Sequence, residues 1–204
     1  LARTEVAVFR HGDVDSFRET LERVRPKARR VLVAVDGVYS MDGDVAPVAE
    51  IVKHAHDADA IVLLDDAHGT GCLGARGRGT AELAGVLGEV DILMGTLGKS
   101  IGSFGAFVAG SAKMRDLFVN TARSFIFSCA LAPAQVQAAR AALRCPIARR
   151  DGASDARRGL GRSQRARTAS RANAASSLEL KTRLVAKGTG LAWRGRHRAL
   201  LAEA

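Results

Sequence analysis

AIVLLDDAHGTG, residues 60–71, sets five apolar residues against two adjacent carboxylates, with a histidine two positions further on. An apolar run this short, followed by a glycine-containing turn segment, reads as a buried strand. A carboxylate where such a strand stops is costly unless it is paired or hydrogen-bonded. For Asp65 and Asp66 the plain alternative is a turn cap, and for His68 a satisfied loop histidine.

The stretches on either side repeat the pattern. EVAVF (5–9), RVLVAV (30–35), VDILMG (90–95) and FGAFVAG (104–110) read as further strands. Between them, VDSFRETLERV (14–24), PVAEIVKHAHDA (47–58), TAELAGVL (80–87), AKMRDLFVNTA (112–122) and PAQVQAARAAL (133–143) carry the helical period. In 14–24, for example, Val14, Phe17, Leu21 and Val24 fall on one face. Strands and helices in alternation imply an α/β layer structure around a mainly parallel sheet. In such sheets ligands sit beyond the carboxyl ends of the strands, which directs attention to the residues after AIVLL and VDILMG.

VDILMGTLGKS (90–100) puts Lys99 a few residues past its strand, with Thr96, Gly98 and Ser100 around it. A lone lysine in a glycine loop is ordinarily just solvated. Here it would project into the same crevice as Asp65 and His68. An acid, a histidine and a lysine meeting at the mouth of a parallel sheet suit pyridoxal phosphate. The lysine condenses with the aldehyde, and an aspartate facing the ring nitrogen keeps it protonated. A histidine can stack on the ring or bond its phenolic oxygen, and small hydroxyl residues and backbone N–H groups can hold the phosphate. A competing motif is weaker: Gly69, Gly71 and Gly74 satisfy GxGxxG, with Asp91 twenty residues beyond Gly71. A dinucleotide fold needs the third glycine in the opening of a helix, and ARGRGT follows instead.

Composition sets the outer bounds. The 204 residues, 47% hydrophobic, suffice for one sizeable core. No apolar run approaches the roughly 18 residues of a membrane span and nothing resembles a secretory leader, so the expected location is cytoplasmic. Cys72, Cys129 and Cys145 are widely spaced and include no CxxC, so free thiols are expected, with neither a disulfide framework nor a metal site. The net charge of +10 is unevenly spread. Residues 1–144 hold 17 basic and 17 acidic side chains, whereas 145–204 hold 14 basic and 4 acidic, the whole excess. The chain thus divides into a domain, 1–144, and a basic, low-complexity tail, 145–204, expected to be disordered. That tail reads either as a shifted reading frame of a GC-rich gene or as a genuine basic extension. In the second case a noncatalytic protein binding nucleic acid through its tail is the alternative function, although nucleic acid is not the partner expected.

VDGVYSMDGDVAPVAEI (35–51), LLDDAHGTGCLGARGRGT (63–80), GTLGKSIGSFGAFVAG (95–110) and ARSFIFSCALAPAQ (122–135) resemble consecutive motifs of the α-oxoamine synthases, which are fold type I pyridoxal phosphate enzymes. FRHGDVDSF (9–17) is similar to that family's Arg-His-Asn-Asp segment, with Gly12 where Asn is usual. The resemblance covers residues 3–144 and implies a partial large domain of the fold type I transferases. It implies a decarboxylating condensation of an amino acid with an acyl-CoA or acyl-carrier thioester, in a homodimer without membrane attachment. Residues 96–110 followed by 120–128 resemble most the members that join L-alanine to a pimeloyl thioester in biotin synthesis; members using other substrates are the alternative. By position, the resemblance makes Lys99 the Schiff-base lysine that also moves the Cα proton and Asp65 the partner of the ring nitrogen. His68 would meet the phenolic oxygen, Ser40 would lie against the cofactor and Thr96 near its phosphate. Ser128 would reach the phosphate of the other subunit. Phe125, Phe127 and Leu131 are expected in the core, and Arg76 and Arg78 as loop braces. Asp36 stands where the family often has Glu, and Cys129 where Thr is frequent. The family's N-terminal phosphate loop and ring-stacking histidine, and its C-terminal carboxylate-binding arginine, have no counterpart here, so a fragment that is inactive alone is expected.

Overall fold

The computed structural model describes residues 4–144 and the backbone of residues 182–188. The elements are β1 (Glu5–Phe9), α1 (Val14–Val24), β2 (Ala28–Asp36), α2 (Val48–Asp57), β3 (Ile61–Asp65), α3 (Thr80–Leu83), β4 (Ile92–Thr96), β5 (Ala106–Gly110), α4 (Ala112–Thr121), α5 (Arg123–Ile126), α6 (Pro133–Arg144) and β6 (Thr182–Gly188). A 3-10 turn at Arg25–Lys27 joins α1 to β2. The strands form one sheet in the order β1-β6-β2-β3-β4-β5. β2, β3 and β4 pair in parallel, and β1 runs their way because it and β2 are both antiparallel to β6. Four of the six strands among the described residues thus share a direction, in keeping with the mainly parallel α/β sheet expected.

β5 runs antiparallel to β4 at the sheet edge. The connection between them, 97–105, contains no helix. It is too short for a crossover, which takes about a dozen residues or more. β6 lies within the segment expected to be a tail. TRLVAKG carries Thr182, Leu184 and Val185, which favour extended backbone, a local feature that a composition dominated by arginine conceals. The rest of 145–204, with the expectation placed on it, lies outside the described residues.

The core sits on one face of the sheet. Alternation along β2 buries Val31, Val33 and Val35, and along β3 it buries Val62 and Leu64. Onto that face α1 contributes Phe17, Leu21 and Val24, and α2 contributes Ile51, Val52 and Ala55. α1 starts where Asp13 accepts the Ser16 N–H at 2.8 Å, which satisfies one of its free first-turn donors. Pro47 stands at the cap position of α2, just ahead of the first helical residue. The opposite face, at Ala34, Leu63 and Asp65, is only half-buried. Among the described residues, one face of the sheet is closed.

Two further expectations need correction. The helix read over 80–87 stops at Leu83, because Gly85 at φ +77 turns the chain and Val86 N–H returns to the Ala81 carbonyl. Phe125, Phe127 and Leu131 are not core residues: they are 65%, 74% and 37% exposed. Ala139 is the one buried side chain in α4, α5 and α6, so these helices add little to the core. Phe127, just past the end of α5, has the Arg123 guanidinium 5.1 Å from its ring centroid and otherwise faces outward.

Candidate active site

Parallel pairing delivers the site residues to one place. β2 and β3 are in register so that Asp36 lies beside Asp65, and β3 and β4 so that Asp65 lies beside Met94. With side chains alternating along each strand, Asp36, Asp65 and Thr96 emerge on the half-buried face at the carboxyl ends of three adjacent strands. Asp65 Oδ1 accepts the Ala67 N–H at 3.0 Å, which bends the chain off the sheet, and Oδ2 has no hydrogen-bond partner among the described residues. Two residues on, His68 Nε2 lies 2.9 Å from Lys99 Nζ. With the lysine ammonium as donor, His68 Nε2 is the acceptor of that bond.

Asp66 points the other way, into the protein, and is fully buried. Its Oδ2 accepts the Thr80 N–H at 2.9 Å and its Oδ1 accepts the Thr80 hydroxyl at 2.8 Å. Burial pushes this carboxyl above the usual range, the two Thr80 bonds pull it back, and the Asp65 charge adds to the rise. The carboxylate packs against Gly37, Gly69 and Gly79 so closely that a Cβ on Gly79 would lie 1.5 Å from Oδ2. Asp66 thus closes the loop from β3 to α3, with Asp65 and His68 at its open end.

Asp36, Asp65, Lys99 and His68 are brought together. Asp36 is raised by desolvation and then by Asp65, while His68 and Lys99 pull it down, so its carboxyl lies within electrostatic reach of all three. Sequence reasoning treated it only as a departure from Glu. The signal was available, since RVLVAVD, like AIVLLD, is an apolar run ending in a carboxylate. Thr96 is adjacent, but its hydroxyl already donates to the Gly105 carbonyl at 3.2 Å and accepts the Gly98 N–H at 3.2 Å. Ser40 is exposed in the loop after β2. Tyr39 N–H bonded to the Asp44 carbonyl shapes that loop, and His11 Nε2 anchors it at 2.8 Å from Asp44 Oδ2. Ser128 is not drawn in: it is exposed, and its hydroxyl donates to the Ser124 carbonyl. Arg76 and Arg78 do brace the loop, through their backbone N–H groups, each 3.0 Å from Glu82 Oε2. The GxGxxG stretch opens no helix; Gly71 and Gly74 turn within an irregular loop, at φ +81.

No helix among the described residues is long and apolar enough to cross a membrane. A family model described as aminotransferase class I and II matches residues 1–169. The 8-amino-7-oxononanoate synthase of Geobacter metallireducens is 50% identical over 143 residues, which is 70% of this chain and 36% of that protein. The enzyme of the same name from Geotalea daltonii is 47% identical over 160 residues, 78% of this chain and 40% of that one. Among solved structures, a serine palmitoyltransferase of Sphingomonas wittichii matches with a TM-score of 0.63 at 38% identity, covering 67% of this chain and 34% of that chain. An 8-amino-7-oxononanoate synthase from Francisella tularensis shares the fold, with a TM-score of 0.55 at 23% identity over 66% of this chain and 38% of that one. The chain spans 36% and 40% of the length of the two curated relatives.

Proposed function

The chain belongs to the aminotransferase class I and II family, as an α-oxoamine synthase, and from that premise we propose that it is the middle of the catalytic domain of an 8-amino-7-oxononanoate synthase. The reaction would join L-alanine to a pimeloyl thioester with loss of carbon dioxide, in a cytoplasmic homodimer. The observation that carries this reading is the 2.9 Å approach of Lys99 Nζ to His68 Nε2 beside the free oxygen of Asp65.

These residues fit pyridoxal phosphate. Asp65 offers an unpartnered carboxylate oxygen at a strand end, where a pyridinium N–H can bond to it. His68 can donate to a phenolic oxygen from Nε2 once Lys99 turns away, and Lys99 supplies the amine. When bound, the cofactor provides an electron sink for charge developing at the substrate Cα. Lys99 would hold the cofactor and could move the proton of the substrate Cα. Asp65 keeps the ring nitrogen protonated and His68 orients the ring. Asp36 adds negative potential beside Asp65. Ser40 would lie against the cofactor, and Thr96 would serve its phosphate through the loop it shapes. Ser128 would act in the partner subunit's site, and the exposed Phe125 and Phe127 beside it supply apolar surface for that contact.

The test uses the chain 1–204 titrated with pyridoxal phosphate. A visible absorbance band of lysine-bound cofactor should form and be absent in Lys99→Ala; indistinguishable spectra would remove the cofactor role of Lys99. L-alanine should perturb the band at lower concentration than glycine or serine, and the reverse order would move the assignment to another member of the family.

A further inference from the structure

The contact between Lys99 and His68 depends on two separate loops keeping a fixed separation. His68 lies on the loop leaving β3 and Lys99 on the loop leaving β4, and both side chains are exposed. An exposed lysine has about 2 kcal/mol of rotamer entropy to lose, so this pair does not hold itself together. Among the described residues, one other side-chain hydrogen bond crosses between the loops. Ser100 Oγ donates to the Thr70 carbonyl at 2.5 Å.

Both ends of that bond are fixed. Thr70 is 8% exposed and its N–H bonds the Asp66 carbonyl at 2.8 Å. The lysine loop is closed on itself by Gly102 N–H to the Lys99 carbonyl at 3.0 Å and Ser103 N–H to the Leu97 carbonyl at 2.8 Å. It therefore moves as one piece, and Ser100 is where that piece is tied to its neighbour. The fit is close, since a Cβ on Gly71, at φ +81, would lie 2.2 Å from Ser100 Oγ.

We infer that Ser100 is a positioning residue, a strut whose bond to the Thr70 carbonyl sets Lys99 at the distance from His68 that the site requires. This rests on Lys99 and His68 being site residues, and two readouts on the full 204-residue chain separate the two ideas. With pyridoxal phosphate, S100A should raise the cofactor's dissociation constant about tenfold, the loss of one hydrogen bond, and move the pH midpoint of the visible band. S100T, which keeps the hydroxyl, should titrate like the parent. Without cofactor, the 15N shift of His68 Nε2 should change in K99A and change likewise in S100A. If S100A leaves both the binding curve and the His68 shift at parental values, or if S100T is as impaired as S100A, the strut is refuted. A parental chain that binds no cofactor would overturn the functional reading alone, and the His68 shift would still decide the role of Ser100.

Discussion

Thr80→Val tests the buried clasp beneath the site. Valine keeps the shape of threonine and leaves the Thr80 N–H on Asp66 Oδ2, so the change is confined to the donor on Oδ1. Asp66 has no exposed surface through which water could replace that donor. A hydrogen bond to a charged group contributes about 1.5–3 kcal/mol, and the orphaned oxygen puts this case near the top, at about 3 kcal/mol at neutral pH. The pH dependence carries a sign. Burial raises Asp66, so the folded chain takes up the proton before the unfolded one does. Its penalty is full at neutral pH and is relieved as pH falls through the folded value toward the ordinary 3.8. The Thr80 hydroxyl opposes the rise, so its removal widens that window, and the destabilisation must shrink on acidification. Urea unfolding followed by circular dichroism at neutral and mildly acidic pH measures both effects. A variant within about 0.5 kcal/mol of the parent at neutral pH, or one equally destabilised in acid, would refute the reasoning.

Phe17 is fully buried against Phe9, with ring centroids 5.0 Å apart. Phe17→Ala should therefore cost about 3–5 kcal/mol in the same urea assay, with an unchanged m-value. Asp13→Ala removes the α1 cap and should cost about 1 kcal/mol at neutral pH. Because the Ser16 N–H holds the Asp13 carboxyl below its usual value, this stabilisation exists above the ordinary aspartate range and disappears as pH falls through the lowered folded value. The parent and variant curves should accordingly converge in acid.

The strand pattern was legible because AIVLL and VDILMG combine apolar runs with abrupt polar ends, and that also revealed where the site would form. Asp65, His68 and Lys99 could be placed together from sheet topology alone, since parallel strands deliver their ends to one rim. What could not be read depends on contacts between distant segments. The exposure of Phe125 and Phe127 follows from what lies beside α5 and leaves no mark in the residues themselves, whereas the direction of β5 was available in principle, since only eight residues separate VDILMG from FGAFVAG, too few for a crossover. Asp36 was visible in principle, as a second apolar run ending in a carboxylate. Ser100 was not, because a hydroxyl announces no partner until the Thr70 carbonyl is brought to it.

The Asp66 pocket has a consequence for how this sequence can drift. Gly37, Gly69 and Gly79 belong to three stretches of chain, yet each is held small by the same pair of side chains, Asp66 and its partner Thr80. A lineage could not enlarge any one of them while Asp66 stayed, nor lengthen Asp66 to glutamate while the glycines stayed. The four positions, with Thr80, form a single heritable unit across 44 residues of sequence. Its members should tend to change together, and ancestral reconstructions that place a larger residue at one of the glycines singly should yield less stable proteins than those that keep the set.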